Sequence, residues 1–387
     1  MMNDLLLEPY VFSNGTVLRN RIVMAPMTTW SSNPDQTVSD EELSYYRERV
    51  QGVGLVLTGC TQVQANGVGF SDEFASHEDQ FIPSLRKLAQ AAKSGGAPAV
   101  LQIFHAGNKA VPSLIPEGEL VSASAMAAPK GPFNNGEVAS RALDPDEILA
   151  VIHDFGEATR RAIEAGFDGV ELHGAHGFLI QNFLSPLFNH RSDEWGGSLE
   201  ARMRFPLEVV REVRRVISLR AQRPFLLGYR ISPEEPGDGA LRVGDALALV
   251  DTLIEEGNLD YLHVSLYNVL AGKPLDADDE QTTAELFIER VGGRLPLMAA
   301  GELRLPRDAR TALDGGLSLA VVGRGLVLDS QWVEKAVAAR EGDIVTALDP
   351  DAEAVGLKIP AKLFGVIRSN PGWFPARSVA TPEAACS

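Results

Sequence analysis

The chain has 387 residues, 45% hydrophobic and 22% charged, enough to bury a large core as one α/β barrel or as two or three smaller domains. Its 52 acidic residues against 35 basic ones give a net charge of −17, a field that repels nucleic acid and anionic membrane surfaces and leaves a small molecule as the expected partner. The two cysteines, Cys60 and Cys386, exclude a disulfide framework and a CxxC-type metal or cluster site, and no run approaches the roughly 18 apolar residues of a membrane span.

The opening MMNDLLLEPY puts an acidic residue before three leucines and lacks the basic start and long apolar stretch of a signal peptide, so a cytoplasmic protein is expected. YVFSNGTVLRNR carries an Asn14-Gly15 turn between β-prone residues, which predicts a hairpin capping the amino-terminal mouth of the fold. Short apolar runs then recur: IVMAP (22–26), GLVLTGC (54–60), AVLQIFH (99–105), GVELHG (169–174), FLLGYRIS (225–232), YLHVS (261–265), PLMAAG (296–301) and LAVVGRG (319–325). Each reads as a buried parallel strand. Segments of helical period separate and follow them, at 39–51, 78–95, 144–165, 200–217, 243–257, 281–292, 306–315 and 329–341.

Eight strands alternating with eight helices predict a single (β/α)8 TIM barrel over residues 1–342. A doubly wound sheet is the rival, but its GxGxxG fingerprint is missing after the first strand. The stretch 107–141, behind the third strand, is rich in proline and glycine and has no helical period, which predicts a long loop insertion over the active mouth. Residues 343–387 read as an irregular extension, packed on the barrel or at a subunit contact, so a homo-oligomer is one expectation.

Barrel sites lie at the carboxyl ends of the strands. Here those ends offer Pro26-Met27-Thr28, Cys60, Gln102 and His105, His173 and His176, Arg230, Gly301, and Gly323-Arg324, a neutral-to-basic set in an acidic protein. Glycines after strands seven and eight with an adjacent arginine suit a phosphate, because bare backbone N–H groups can approach it and the guanidinium adds a fixed positive fork. His173 and His176 could bind a metal, move a proton, hold an oxygen or fill space. The metal reading, a metal-dependent barrel hydrolase, finds no Asp, Glu or Cys set at the other strand ends to complete the ligands.

NRIVMAPMT (20–28), LQIFHAG (101–107), GVELHGAHGFLIQNFLSP (169–186), NHRSDEWGGSLEARMRFPLEVV (189–210) and VGRG (322–325) resemble, in order, the motifs of the old yellow enzyme family of FMN-dependent oxidoreductases. The His/His pair is similar to that of a bacterial branch. The resemblance implies FMN as cofactor and NADH or NADPH as electron donor. It places Ala25, Pro26, Met27 and Thr28 along one edge of the isoalloxazine and the Cys60 amide beside it. Gln102 would meet the pyrimidine edge, Arg230 would stand by N1 and O2, and Gly301, Gly323 and Arg324 would hold the phosphate. His173 and His176 would donate to the oxygen of an α,β-unsaturated carbonyl compound, so that hydride from reduced N5 adds to its β-carbon. Trp30 falls at an aromatic position on the substrate side. The block around Arg191, Asp193 and Trp195 reads as structural, with Ser198 a helix cap.

Two positions depart from the family pattern. Where most of its ene-reductases carry a tyrosine that protonates the substrate α-carbon, this chain has Phe178. Either water supplies the proton, or Tyr267 in the loop after HVSL does, or the main reaction is flavin or oxygen reduction, or desaturation. Asn108 stands where relatives commonly have arginine. Larger relatives add an iron–sulfur cluster and nucleotide domains, for which this chain has neither the cysteines nor the length.

Overall fold

The computed structural model describes residues 4–127, 138–275, 281–348 and 357–375. The opening hairpin pairs Tyr10–Val11 antiparallel with Val17–Leu18. Its turn places Gly15 at φ +88°, a left-handed conformation that glycine adopts without cost from a Cβ. The Asn14 Oδ1 accepts the Thr16 N–H at 3.0 Å and holds the turn.

Eight parallel strands close a barrel in chain order: β1 (Ile22–Met24), β2 (Leu55–Gln62), β3 (Ala99–Phe104), β4 (Gly169–Gly174), β5 (Leu226–Ile231), β6 (Tyr261–Ser265), β7 (Leu297–Ala300) and β8 (Leu319–Val322). All eight expected strands are present. They alternate with α1 (Asp40–Arg49), α2 (Ile82–Ala92), α3 (Pro145–Ala165), α4 (Leu199–Arg220), α5 (Val243–Glu256), α6 (Thr283–Val291), α7 (Pro306–Asp314) and α8 (Trp332–Val337). Capping boxes start α1, α3 and α6, pairing Ser39 with Glu42, Asp144 with Glu147 and Thr282 with Glu285, and each satisfies backbone donors that the first turn leaves unpaired. Ser198 caps α4, as its position suggested.

The barrel is filled, not open. Val23, Leu57, Val100, Leu226, Met298 and Val321 pack inside its lower half, and Phe12 and Leu18 of the hairpin plug them from below. Room for the buried Tyr261 ring exists because residue 228 is glycine: a Cβ there would lie 2.0 Å from the ring. The outward faces of the strands join the helices in a second, larger core.

Three expectations need correction. The insertion is not structureless: Leu120–Ser122, Met126–Ala127 and Ala139–Ala142 form a small three-stranded sheet with Ala139–Ala142 in the middle, while 128–137 lie outside the described residues. Such short, non-local pairings have no period long enough to read. The extension is not wholly irregular, since Ala361–Ser369 is a helix. Within the last βα unit, Gly323 turns the chain early, and Arg324–Leu328 is a short helix where the strand was expected to continue to 325.

The tail segment 357–375 lies on its own barrel. Buried Arg49 of α1 donates to the Val327 carbonyl at 3.2 Å, the Lys358 carbonyl at 3.3 Å and the Leu357 carbonyl. Trp373 meets Trp30 edge-on at 5.9 Å. Arg377, further along the tail, lies outside the described residues.

Candidate active site

Along each strand, alternate residues point into the barrel, so a polar residue every second position inside an apolar run builds a polar layer. Register assembles that layer here: Cys60 pairs with Gln102, Gln102 with Glu171, and Arg230 stands between His173 on β4 and His263 on β6. Glu171 Oε1 accepts the Gln102 amide N–H at 2.7 Å, and its Oε2 lies 3.0 Å from His263 Nδ1. One turn of the mouth higher, Arg230 Nη2 donates to Ser265 Oγ at 3.0 Å, and that hydroxyl lies 2.7 Å from His176 Nε2. The Arg230 Nε is buried with no hydrogen-bond partner.

The structure brings the two histidines together, with ring centroids 4.9 Å apart. His173 Nδ1 accepts the Ala175 N–H at 3.3 Å, which assigns the proton to Nε2 and leaves that N–H to donate. Burial, then the neighbouring His176, Arg230 and His263, push His173 well below the usual imidazole range. His176 has its ring at the open mouth, accessible from solvent yet enclosed by protein, and desolvation with the charges of Arg230 and Lys109 lowers it likewise. Both rings are therefore neutral near pH 7. Among the described residues no group of three His, Cys, Asp or Glu side chains is arranged to hold a metal ion.

Phe178 packs edge-on against His173 at 4.8 Å and Phe104 at 4.9 Å, in an apolar cluster with Cys60 and Val68. An aromatic chain runs from it through Phe70 and Trp30 to Trp373 of the tail. Trp30 thus reaches the histidine pair through Phe70. Lys109 lies beside the pair, its Nζ donating to the His176 carbonyl at 2.6 Å. His105, by contrast, is tied down at both nitrogens by Gly107 N–H and Asn66, and burial drops its pKa to about 3, so its role is structural.

A cavity of about 320 Å³ opens beside this layer, lined by Ala25, Pro26, Met27 and Arg230 at one end and by Gly301, Gly323 and Arg324 at the other. Gly301 (φ +153°) is required there: a Cβ would stand 2.5 Å from the Leu266 carbonyl oxygen. Arg324 donates to Glu302 Oε1 at 2.5 Å and to the Trp373 carbonyl at 2.8 Å, while Arg304 pairs with the other Glu302 oxygen at 2.5 Å. A cleft walled by bare backbone, two guanidiniums around one carboxylate, and an unpartnered buried Arg230 Nε fits a phosphorylated flavin.

Thr28 and Cys60 meet each other, Oγ1 to Sγ 3.7 Å, and neither lines the cavity. The buried thiol is pushed well above its usual pKa by desolvation, so it is no nucleophile. Tyr267 is 90% exposed on the cavity rim beside Gly301, standing out into solvent. Sequence reasoning missed Glu171, His263, Ser265, Lys109, Glu302 and Trp373. The first three were detectable, because they stand at period two from His173 and within YLHVS, polar residues inside runs read as plain strand. Lys109 ends a single 3-10 turn and Glu302 and Trp373 sit in loops, none of which carries such a signal.

A parallel barrel with a phosphate-ready cleft, a guanidinium and amide in its polar layer and a neutral donor pair above them defines a flavin-dependent oxidoreductase. The profile of the NADH:flavin oxidoreductase / NADH oxidase family matches residues 5–343, and the chain belongs to that family. It is 43% identical over 371 residues to the probable NADH-dependent flavin oxidoreductase YqiG of Bacillus subtilis, covering 96% of this chain and 97% of that one. Solved structures agree: the old yellow enzyme homologue from Zymomonas mobilis (TM-score 0.74, 25% identity, covering 86% and 92% of the two chains) and morphinone reductase in complex with tetrahydroNAD (TM-score 0.76, 26% identity, 92% and 97%). The protein is an FMN-dependent oxidoreductase that takes its electrons from NADH or NADPH.

Proposed function

We propose that this enzyme reduces an activated alkene, an α,β-unsaturated carbonyl compound whose oxygen is held by His173 and His176. The observation that carries this is the donor pair itself: two neutral imidazoles, one with its tautomer set by the Ala175 N–H, at the mouth above the Arg230 and Gln102 layer. FMN, when bound, supplies hydride from its N5. Gln102 would bind the pyrimidine edge, Arg230 would favour negative charge at N1 and O2, and Gly301, Gly323 and Arg324 would hold the phosphate once it competes with Glu302 for the guanidinium.

The histidines stabilise the enolate charge that develops as the β-carbon accepts hydride, an effect of roughly 3 kcal/mol per well-placed donor. The α-carbon then needs a proton. Phe178 has none to give and Tyr267 faces solvent, whereas the half-buried Lys109 ammonium adjoins His176. A second reading is supported by the apolar packing of Phe178: the main reaction is NAD(P)H-driven reduction of flavin or oxygen, with slow alkene reduction.

Anaerobic bleaching of the bound flavin by NADH and by NADPH, followed by a panel of enones and then oxygen as reoxidants, separates the two. Fast enone-driven recovery of the yellow colour supports alkene reduction. Recovery by oxygen alone points to the second reading. In Phe178→Tyr the enone step should accelerate at least ~10-fold, given that a placed general acid contributes about 10² to 10⁴.

A further inference from the structure

The least expected group in the barrel is a carboxylate. Glu171 has no exposed side-chain surface, nor has His263 beside it. A buried ionised carboxylate is costly unless fully bonded, and an apolar residue at such a position usually serves stability at least as well. Five side chains meet here in three contacts: Glu171 takes the Gln102 N–H at 2.7 Å and faces His263 Nδ1 at 3.0 Å, while Arg230, one strand away, bonds Ser265. Burial would raise the Glu171 carboxyl, but His263, Arg230 and Gln102 hold it below its ordinary value. Desolvation lowers the His263 imidazole, and the Glu171 carboxylate beside it pulls the other way. Glu171 and Arg230 thus place opposite charges in one layer.

We propose that Glu171 is a positioning residue for the flavin: its carboxylate orients the Gln102 amide and offsets the Arg230 charge, and so sets the reduction potential of bound FMN. With one Gln102 N–H committed to Glu171, the amide oxygen and the second N–H remain for the pyrimidine edge. The same anion opposes the gain of negative charge on the ring, keeping the reduced flavin a stronger hydride donor than Arg230 alone would allow. This rests on FMN binding and is independent of which substrate is reduced.

The test is an anaerobic titration of the FMN-loaded enzyme against a redox dye, read by flavin and dye absorbance. Glu171→Gln keeps the shape and removes the charge. It should raise the ratio of reduced to oxidised FMN about tenfold or more at fixed dye poise, ~30 mV for a two-electron couple. Glu171→Asp, which keeps the charge, should return most of that shift. A Glu171→Gln ratio within twofold of wild type, with only thermal stability lowered, would overturn the proposal. Should that variant not fold, His263→Leu takes its place: losing the imidazole donor, the carboxylate accepts a proton more readily, the ratio rises on acidification, and a pH response equal to wild type overturns the idea.

Discussion

His176 adopts φ +61°, a left-handed conformation that a histidine seldom takes and that asparagine tolerates well. Its backbone is bent so that the rings of His173 and His176, three residues apart at a strand end, come within 4.9 Å of each other. His176→Asn should therefore retain a donor and the turn, losing less than ~10-fold in enone kcat/KM, whereas His176→Ala should lose about 10²-fold, the usual cost of one oxyanion donor. Equal losses in both variants would remove the donor role. Lys109 gives the residue scale its pH dependence. Burial lowers its ammonium pKa, with Glu235 pulling the other way. The acid form exists below that lowered pKa and disappears above it, so enone-driven reoxidation should fall as pH rises, and Lys109→Met should erase that limb in a single-turnover pH series. A rate that climbs with pH in the wild type would count against Lys109 as the acid.

At the scale of elements, the barrel strands carry two messages at once. Val and Leu on outward positions pack the helices, and inward positions change character from bottom to top, from Leu226 through Gly228 to Arg230 on β5 and from Tyr261 through His263 to Ser265 on β6. Gly228 makes the Tyr261 ring possible, so Gly228→Ala should cost about 1–3 kcal/mol or more, as overpacking does, read as a lowered Tm. The strand positions were legible because eight apolar runs and their helical spacers are repeated signals. The polar layer was half legible: Gln102, Arg230 and the histidines were found at strand ends, while Glu171, one pleat below His173, passed as strand. The insertion sheet of 120–142 pairs strands of two to four residues, too short for any period to show.

Over the whole molecule, the tail links the outside of the barrel to its mouth. Arg49, with no exposed surface, holds Leu357 and Lys358, and Trp373 then covers Trp30 and the Arg324 end of the cavity. Arg49→Met should leave buried carbonyls unpaired at ~1–3 kcal/mol each. It should expose the tail to limited proteolysis and weaken FMN retention on gel filtration, and a tail as resistant as wild type would show that the contact is incidental. Composition and charge, the count of strands and helices, and the motifs around His173, His176, Arg230 and Gly323 determined the class of this protein, because local periodicity and strand-end chemistry are written residue by residue. Only the tertiary structure decided that the two histidines are neutral, that Arg324 already has an acidic partner in Glu302, and that Phe178 seals an apolar wall while Lys109 reaches the mouth. Those properties depend on burial and on contacts between residues more than 90 positions apart in the chain, as between Glu171 and His263 or Phe70 and Phe178, and no local pattern encodes such distances.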